Sequence, residues 1–384
     1  MGFLDTLKSN AMETFKQVVS TLHNPEVQEW KQQGGKVIGY FYSYIPEELI
    51  TAAGLLPYKI RGVGSPGAAK ADKYFTHNVC TLVRDTFELI LDGKFDFLDG
   101  VIVFNACDHI RRIYDNWKSL ENNHYLNFLV LPKKYGKEQL ERYFEELSSL
   151  KEEIEKLFNV EITGEKLKEA IKLHNEKRQL QRKLYDLRKR ENPPLTGAET
   201  LTVMIAGEVM PVAKYNALLK EFLEELEVKE GQKPAVRLML LGGEIDKPEL
   251  LEIIESQGGL VVTDYMAYGT RAIAYDVPED GDPLKALAKY YFEDRPPCPR
   301  LHGTYQKRFD YIKKVAKDYH VDGIISIRLL LCDIWGFEQN DVSGMLKAEK
   351  LPYLKLETEY ALTNAGQLQT RVQAFIETLK EVCA

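Results

Sequence analysis

The 384 residues are 44% hydrophobic and 28% charged, a globular composition rather than that of a disordered or low-complexity chain. At roughly 150 residues per domain the length suggests two or three folding units. The charge, 51 − 58 = −7, offers no basic surface for nucleic acid, and no run approaches the length of apolar residues that spans a membrane. The opening MGFLDTLKSNAMETF lacks the basic, apolar and cleavage regions of a secretory signal. Gly2 and Thr6 fit the loose myristoylation pattern, but the segment reads as a helix, so a soluble cytoplasmic protein is expected. Five scattered cysteines are too few for a disulfide framework and need another explanation.

After the opening helix, the run KVIGYFYSY is β-rich and ends at Pro46. EELITAAG then has helical spacing, with acids in its first turn and Gly54 as the stop. The apolar run inside FDFLDGVIVFNACD, bounded by Asp99-Gly100 and Asn105, reads as a strand buried on both faces, and NFLVLP (127–132) as another. Strands alternating with helices imply βαβ units. From Lys137 to Arg190 the chain is charged, amphipathic and nearly free of Gly and Pro, which marks helices with solvated faces. Asn192-Pro-Pro-Leu-Thr-Gly197 breaks them, and more helix follows to Glu230. A second α/β pattern opens at Gly231, with strands in AVRLMLLGG, Gly258-Gly-Leu-Val-Val262, DGIISIRLLLCD and PYLKLETEY. Helices fall at Pro248–Ser256, around 283–292, and from Gly366 to Val382.

The two α/β regions share a sentence. Asp99-Gly100-Val-Ile-Val-Phe-Asn-Ala-Cys107-Asp108 and Asp322-Gly323-Ile-Ile-Ser-Ile-Arg-Leu-Leu-Leu-Cys332-Asp333 differ by a two-residue insertion. A weaker echo pairs the strands starting at Lys36 and Ala235. The expected fold is therefore α/β, with two doubly wound, parallel-sheet, flavodoxin- or Rossmann-like modules. The first spans 1–136 and the second 233–384, with a helical connecting segment over 137–232.

Ligands in open α/β sheets bind beyond the carboxyl ends of strands. Cys107 and Cys332, at equivalent strand ends, are placed to face each other across a cleft. Cys80, where a helix begins, joins them, because a helix N-terminus favours the thiolate that ligates metal. Packing alone explains any single buried cysteine; the repeated Cys-Asp placement points further. No CxxC spacing occurs, so zinc ribbons and thioredoxin chemistry are unsupported. Three dispersed thiolates suit a [4Fe–4S] cluster with one iron left open. Cys298, in Arg295-Pro-Pro-Cys-Pro-Arg300, sits in a rigid loop; it is placed to be a fourth ligand, although structure alone explains the prolines, and a non-cysteine or exogenous ligand on the fourth iron is expected. Cys383 lies on the terminal helix. Gly62-Val-Gly64-Ser-Pro-Gly67 matches G-x-G-x-x-G, but Pro66 spoils the helix entry and a plain loop is expected. No G-x-x-x-x-G-K-[ST] loop occurs, and the seven histidines form no catalytic pattern.

The run Gly39-Tyr-Phe-Tyr-Ser-Tyr-Ile-Pro46-Glu-Glu-Leu-Ile50-Thr-Ala-Ala-Gly54-Leu-Leu-Pro57 resembles the opening signature of the 2-hydroxyacyl-CoA dehydratase and benzoyl-CoA reductase family. Asn-Val-Cys80, Cys107-Asp-His-Ile-Arg-Arg, Cys332-Asp-Ile-Trp-Gly, and Glu357-Thr-Glu-Tyr360 through Phe375 follow in family order, so the resemblance covers nearly the whole chain. It implies the smaller subunit of a heterodimeric core, with a [4Fe–4S] cluster held by Cys80, Cys107 and Cys332. It also implies three partners: a second core subunit of the same family, a separate ATP-hydrolysing iron–sulfur activator, and a CoA thioester substrate reduced to a ketyl radical. Aromatic reduction, as in benzoyl-CoA reductase, is the favoured reading. The alternatives are radical dehydration of a 2-hydroxyacyl-CoA and a non-catalytic electron relay. Glu48, at a helix start beyond the first strand, is the candidate catalytic acid, against the simpler reading of an acid favoured at a helix N-terminus.

Overall fold

The computed structural model describes residues 10–120 and 125–383; the Gly2 and Thr6 pattern lies outside them. Helices α1 (Asn10–Ser20) and α2 (Pro25–Gln32) lead into the first module. Its elements are β1 (Val37–Tyr40), α3 (Glu47–Ala52), β2 (Leu56–Lys59), α4 (Thr81–Leu91), β3 (Gly100–Phe104), α5 (Asp108–Ser119) and β4 (Tyr125–Leu129). Four helices follow: α6 (Lys137–Phe158), α7 (Gly164–Leu187), α8 (Gly197–Ala206) and α9 (Val212–Val228). The second module begins with β5 (Arg237–Leu241), α10 (Pro248–Glu255), β6 (Leu260–Tyr265), α11 (Thr270–Ile273) and α12 (Pro283–Lys289). It ends with α13 (Tyr305–Asp318), β7 (Gly323–Leu329), α14 (Asp333–Ala348), β8 (Tyr353–Thr358) and α15 (Ala365–Cys383). Among the described residues, no helix is long and apolar enough to cross a membrane.

The strands form two four-stranded parallel sheets, ordered β2-β1-β3-β4 and β6-β5-β7-β8. The fold is α/β with two doubly wound modules, as the repeated Cys-Asp sentence implied. In each sheet the winding direction reverses between the two central strands, and the crevice beyond their carboxyl ends is the place for a ligand. The repeat extends to single hydrogen bonds. The Asp99 carboxylate accepts the Val37 N–H at 2.8 Å, and Asp322 accepts the Arg237 N–H at 2.7 Å, so each aspartate pins one central strand to the start of the other. The glycine after each aspartate is enforced by packing. A Cβ on Gly100 would stand 3.0 Å from Ile38 Cδ1, and one on Gly323 2.6 Å from Leu379 Cδ1.

Local chemistry explains where the elements depart from expectation. β1 stops at Tyr40, short of the aromatic run, and Tyr42 takes a φ of 62° that a continuing strand does not allow. β2, which contains Pro57, is an added strand that the sequence reading did not mark. It pairs only with β1, and a sheet edge is where a strand tolerates a missing donor. Gly54 closes α3 with a φ of 75°, as its position implied. The Gly62–Gly67 stretch is a loop, and its first glycine is a packing requirement. A Cβ on Gly62 would stand 2.6 Å from a ring carbon of Tyr360, whose hydroxyl accepts the Gly62 N–H at 3.0 Å.

Helix α7 ties the two modules together through buried polar groups. Lys177 meets Glu47 of α3 at 2.7 Å and Glu208 at 3.0 Å, and Arg178 meets Glu48 at 2.7 Å. Three residues before Arg178, the Asn175 amide donates to the Val277 carbonyl and accepts its N–H, both at 2.9 Å, and so grips the second module. Replacing Gly323 with Ala drives a methyl group into the buried Leu379 and the adjoining Phe375. The expected cost is about 1–3 kcal/mol of stability, read as a lower denaturant midpoint with unchanged slope. An unchanged midpoint would show that the Asp-Gly repeat is not fixed by packing.

Candidate functional site

The loops beyond the central strands of both sheets close on one cavity of ≈ 60 Å³, several times the ~10–15 Å³ that one water needs. Tyr42 follows β1, Cys107 follows β3, Glu244 follows β5 and Cys332 follows β7, so each central strand delivers a residue to the wall. Cys80 and Cys298 also line it. Leu82, Phe104, Ile334 and Trp335 make much of the remaining wall apolar. A second cavity of ≈ 500 Å³ shares Cys80, Cys107 and Cys332 and runs outward past His109 and Asp333 to the exposed Phe337.

Cys80, Cys107 and Cys332 each occupy the residue immediately before a helix, α4, α5 and α14 respectively. First-turn N–H groups reach the sulfurs: Val83 at Cys80, Ile110 and His109 at Cys107, and Trp335 at Cys332. Burial is the larger influence. It raises the Cys80 thiol well above its ordinary range, Cys107 to about 11 and Cys332 to about 12, with neighbouring thiols adding to the rise. The expectation that a helix start alone would favour the Cys80 thiolate is therefore corrected: a sulfur this buried loses more by desolvation than the N–H groups return. A bound metal ion supplies the missing stabilisation, since a coordinating thiol is deprotonated outright. His109 completes this corner. Its Nδ1 accepts the Cys80 N–H at 3.3 Å, and burial lowers its pKa.

Three guanidinium groups, Arg271, Arg295 and Arg300, stand on the same wall, and all are buried. Arg271 is 5% exposed, packs over the Tyr265 and Trp335 rings, and makes no hydrogen bond or ion pair among the described residues. An unpaired buried cation is costly, so this wall suits an anionic occupant. No group of three or more His, Cys, Asp or Glu among the described residues is arranged to hold a single metal ion. One tetrahedral ion with bonds near 2.3 Å needs sulfurs about 4 Å apart. A four-iron cluster spreads its thiolates around a larger body. Dispersed thiols on a dry, cation-lined wall fit such a cluster better than they fit one ion.

Glu48 is fully buried but does not line the cavity. Its carboxylate takes Arg178 at 2.7 Å and the Tyr291 hydroxyl at 2.9 Å, and α3 is thereby fixed to α7. Burial is the largest single influence and would raise its pKa, but the Arg178 charge and hydrogen bond together with His174 outweigh it, and the net shift is downward. Cys298, which the sequence reading kept outside the set, is on the cavity wall. Cys383 closes α15, and its side chain lies outside the described residues. The sequence reading did not find Arg271; nothing in its local run, Gly269-Thr-Arg-Ala, marks it.

Residues 42–379 match the family described as 2-hydroxyglutaryl-CoA dehydratase, D-component. The chain belongs to this family. Among its relatives is a benzoyl-CoA reductase subunit of Thauera aromatica, 30% identical over 92% of this chain and 93% of the relative. The (R)-phenyllactyl-CoA dehydratase beta subunit of Clostridium sporogenes is 28% identical, over 97% of this chain and the relative's full length. The (R)-2-hydroxyglutaryl-CoA dehydratase beta subunit of Acidaminococcus fermentans is 28% identical over 94% and 97%. Reductase and dehydratase subunits thus lie at nearly the same distance, and all are subunits of enzymes.

Glu48→Gln removes a charge from a fully buried pair and leaves Arg178 uncompensated, at an expected cost of about 3–5 kcal/mol. The folded-state pKa is depressed, so this contribution is present above the ordinary carboxylate range and disappears as pH falls through the folded value. The wild-type advantage over Glu48→Gln in thermal unfolding should shrink correspondingly between neutral and acidic pH. Full stability in the variant at neutral pH would remove Glu48 from the framework and return it to the catalytic candidates.

Proposed function

We propose that the chain is the iron–sulfur subunit of a benzoyl-CoA reductase-like enzyme, with Cys80, Cys107 and Cys332 as thiolate ligands of a [4Fe–4S] cluster. The observation that carries this reading is the convergence of those three cysteines, each at a helix start, on one buried cavity. When bound, the cluster supplies one-electron chemistry at low potential. The chain's own residues supply its surroundings. First-turn N–H groups stabilise sulfur charge, the apolar side chains exclude water, and the buried arginines balance negative charge.

In this reading the chain works beside a second core subunit of the same family and receives electrons from an ATP-hydrolysing iron–sulfur activator. The substrate is an aromatic CoA thioester, reduced through a ketyl radical. The reductase branch is favoured by the 30% identity to the reductase subunit and by the Cys332-Asp-Ile-Trp-Gly-Phe-Glu run. The second reading, dehydration of a 2-hydroxyacyl-CoA, is supported by 28% identity over the whole length of a dehydratase subunit. In a third, the cluster relays electrons and never meets substrate.

Replacing Cys80, Cys107 or Cys332 with Ser is expected to deplete iron by more than half after anaerobic reconstitution, while the chain stays folded by circular dichroism. Full iron content in any of the three would remove that residue from the ligand set. The branches separate by reductant demand when the chain is combined with its core partner and activator. Reduction of benzoyl-CoA consumes reductant in proportion to product, whereas dehydration of a 2-hydroxyacyl-CoA runs on catalytic amounts. Turnover of the hydroxyacyl thioester alone would overturn the reductase reading.

A further inference from the structure

We propose that Cys298 is a fourth thiolate ligand of the same cluster, so that each module supplies a pair: Cys80 with Cys107, and Cys298 with Cys332. This rests on the cluster reading above and goes beyond the three cysteines that the family resemblance carries over. Topology is the first observation behind it. In the first module the connection from edge strand β2 to central strand β3 brings Cys80 to the cavity just ahead of α4, and the connection from β3 to β4 brings Cys107. In the second module the connection from edge strand β6 to central strand β7 brings Cys298 to the cavity ahead of α13, and the connection from β7 to β8 brings Cys332. The four cysteines therefore occupy corresponding connections of a duplicated module, although no local sequence repeat surrounds Cys298.

The loop is built to hold that sulfur in place. The Cys298 N–H donates to the Tyr44 hydroxyl at 3.0 Å, and the Tyr265 hydroxyl donates to the Pro297 carbonyl at 2.6 Å, one anchor from each module. Two residues on, the Arg300 guanidinium donates to the carbonyls of Asn105, Ala106, Leu131 and Pro132 at 3.0–3.2 Å. Those carbonyls precede Cys107 in the chain or follow the neighbouring strand β4, so Arg300 fixes the Cys298 loop to the loop that carries Cys107. With prolines at 296, 297 and 299, the segment has little freedom to withdraw its thiol from the wall.

Charge is the second, independent observation. A fourth thiolate adds one negative charge to the cluster, opposite a wall where Arg271 has no hydrogen bond or ion pair among the described residues. A four-thiolate cluster adds anionic charge to a wall where only Glu244, itself paired with Lys59, stands among three arginines.

The test is Mössbauer and EPR spectroscopy of the full chain reconstituted anaerobically with ⁵⁷Fe and sulfide, with cyanide as the probe for an open iron. The wild type is expected to show four irons in similar environments and a reduced EPR signal unaltered by cyanide. Cys298→Ala is expected to keep the cluster but set one iron in four apart, with an EPR signal that cyanide changes. A wild-type spectrum already showing one distinct iron, or a cyanide-sensitive wild-type signal, overturns the proposal while leaving the three-cysteine cluster intact. A wild-type chain that takes up no cluster at all overturns the reading beneath it. The wild-type measurement decides the matter even if the variant does not fold.

Discussion

A site assembled from the strand ends of two separate sheets exists only while those strand ends are held against each other. Every feature of the cavity depends on that constraint, because neither module alone brings together the cysteines it contributes and those of the other. The contacts enforcing it are buried and polar, hence directional. Arg300 reaches from the second module to carbonyls of the first, and Arg295 donates to the Ser43 carbonyl. Lys59 of β2 meets Glu244 at 3.3 Å and sits over the Tyr268 ring. Tyr360 accepts the Gly62 N–H, donates to Asp246 at 2.9 Å, and gives its own N–H to Thr81, beside Cys80. Buried polar contacts of this kind add little net stability but penalise any other arrangement, since breaking one leaves an unsatisfied group in a dry interior.

The electrostatics of the cavity follow from the same burial. Burial drives the thiols toward their neutral form despite the N–H groups aimed at them. The arginines oppose this by placing fixed positive charge nearby. In a medium of low effective dielectric, such charges act strongly on any group whose charge changes, whether a thiol losing a proton or a redox centre gaining an electron. A site hostile to a bare thiolate is thus matched to thiolates held by metal.

Much of this was legible in the chain. The Cys107 and Cys332 sentences stood out because a duplicated module keeps what its geometry demands: the aspartate that pins the neighbouring strand, the glycine with no room for a Cβ, and the residue at the head of the next helix. Cys80 was legible as a helix start. Cys298 was legible only as a loop cysteine able to reach the site, and its equivalence to Cys80 was hidden because its place in the repeat is topological. The second module inserts α11 and α12 into the connection corresponding to the one that carries Cys80, which destroys any alignment by spacing. Arg271 carried no signal, since an arginine on a four-residue helix looks like any surface cation until the chain closes over it. Glu48 was legible as an acid at a helix start beyond a strand, but its buried partners Arg178 and Tyr291, distant in sequence, were not.

The central claim is that both modules jointly hold one iron–sulfur cluster between their strand ends. Anomalous X-ray diffraction at the iron edge, on crystals of the anaerobically purified chain, addresses it most directly. The account requires a single compact iron peak inside the cavity bounded by Cys80, Cys107 and Cys332. Iron at any other position, two separated iron sites, or a loaded protein with no iron in that cavity would contradict it.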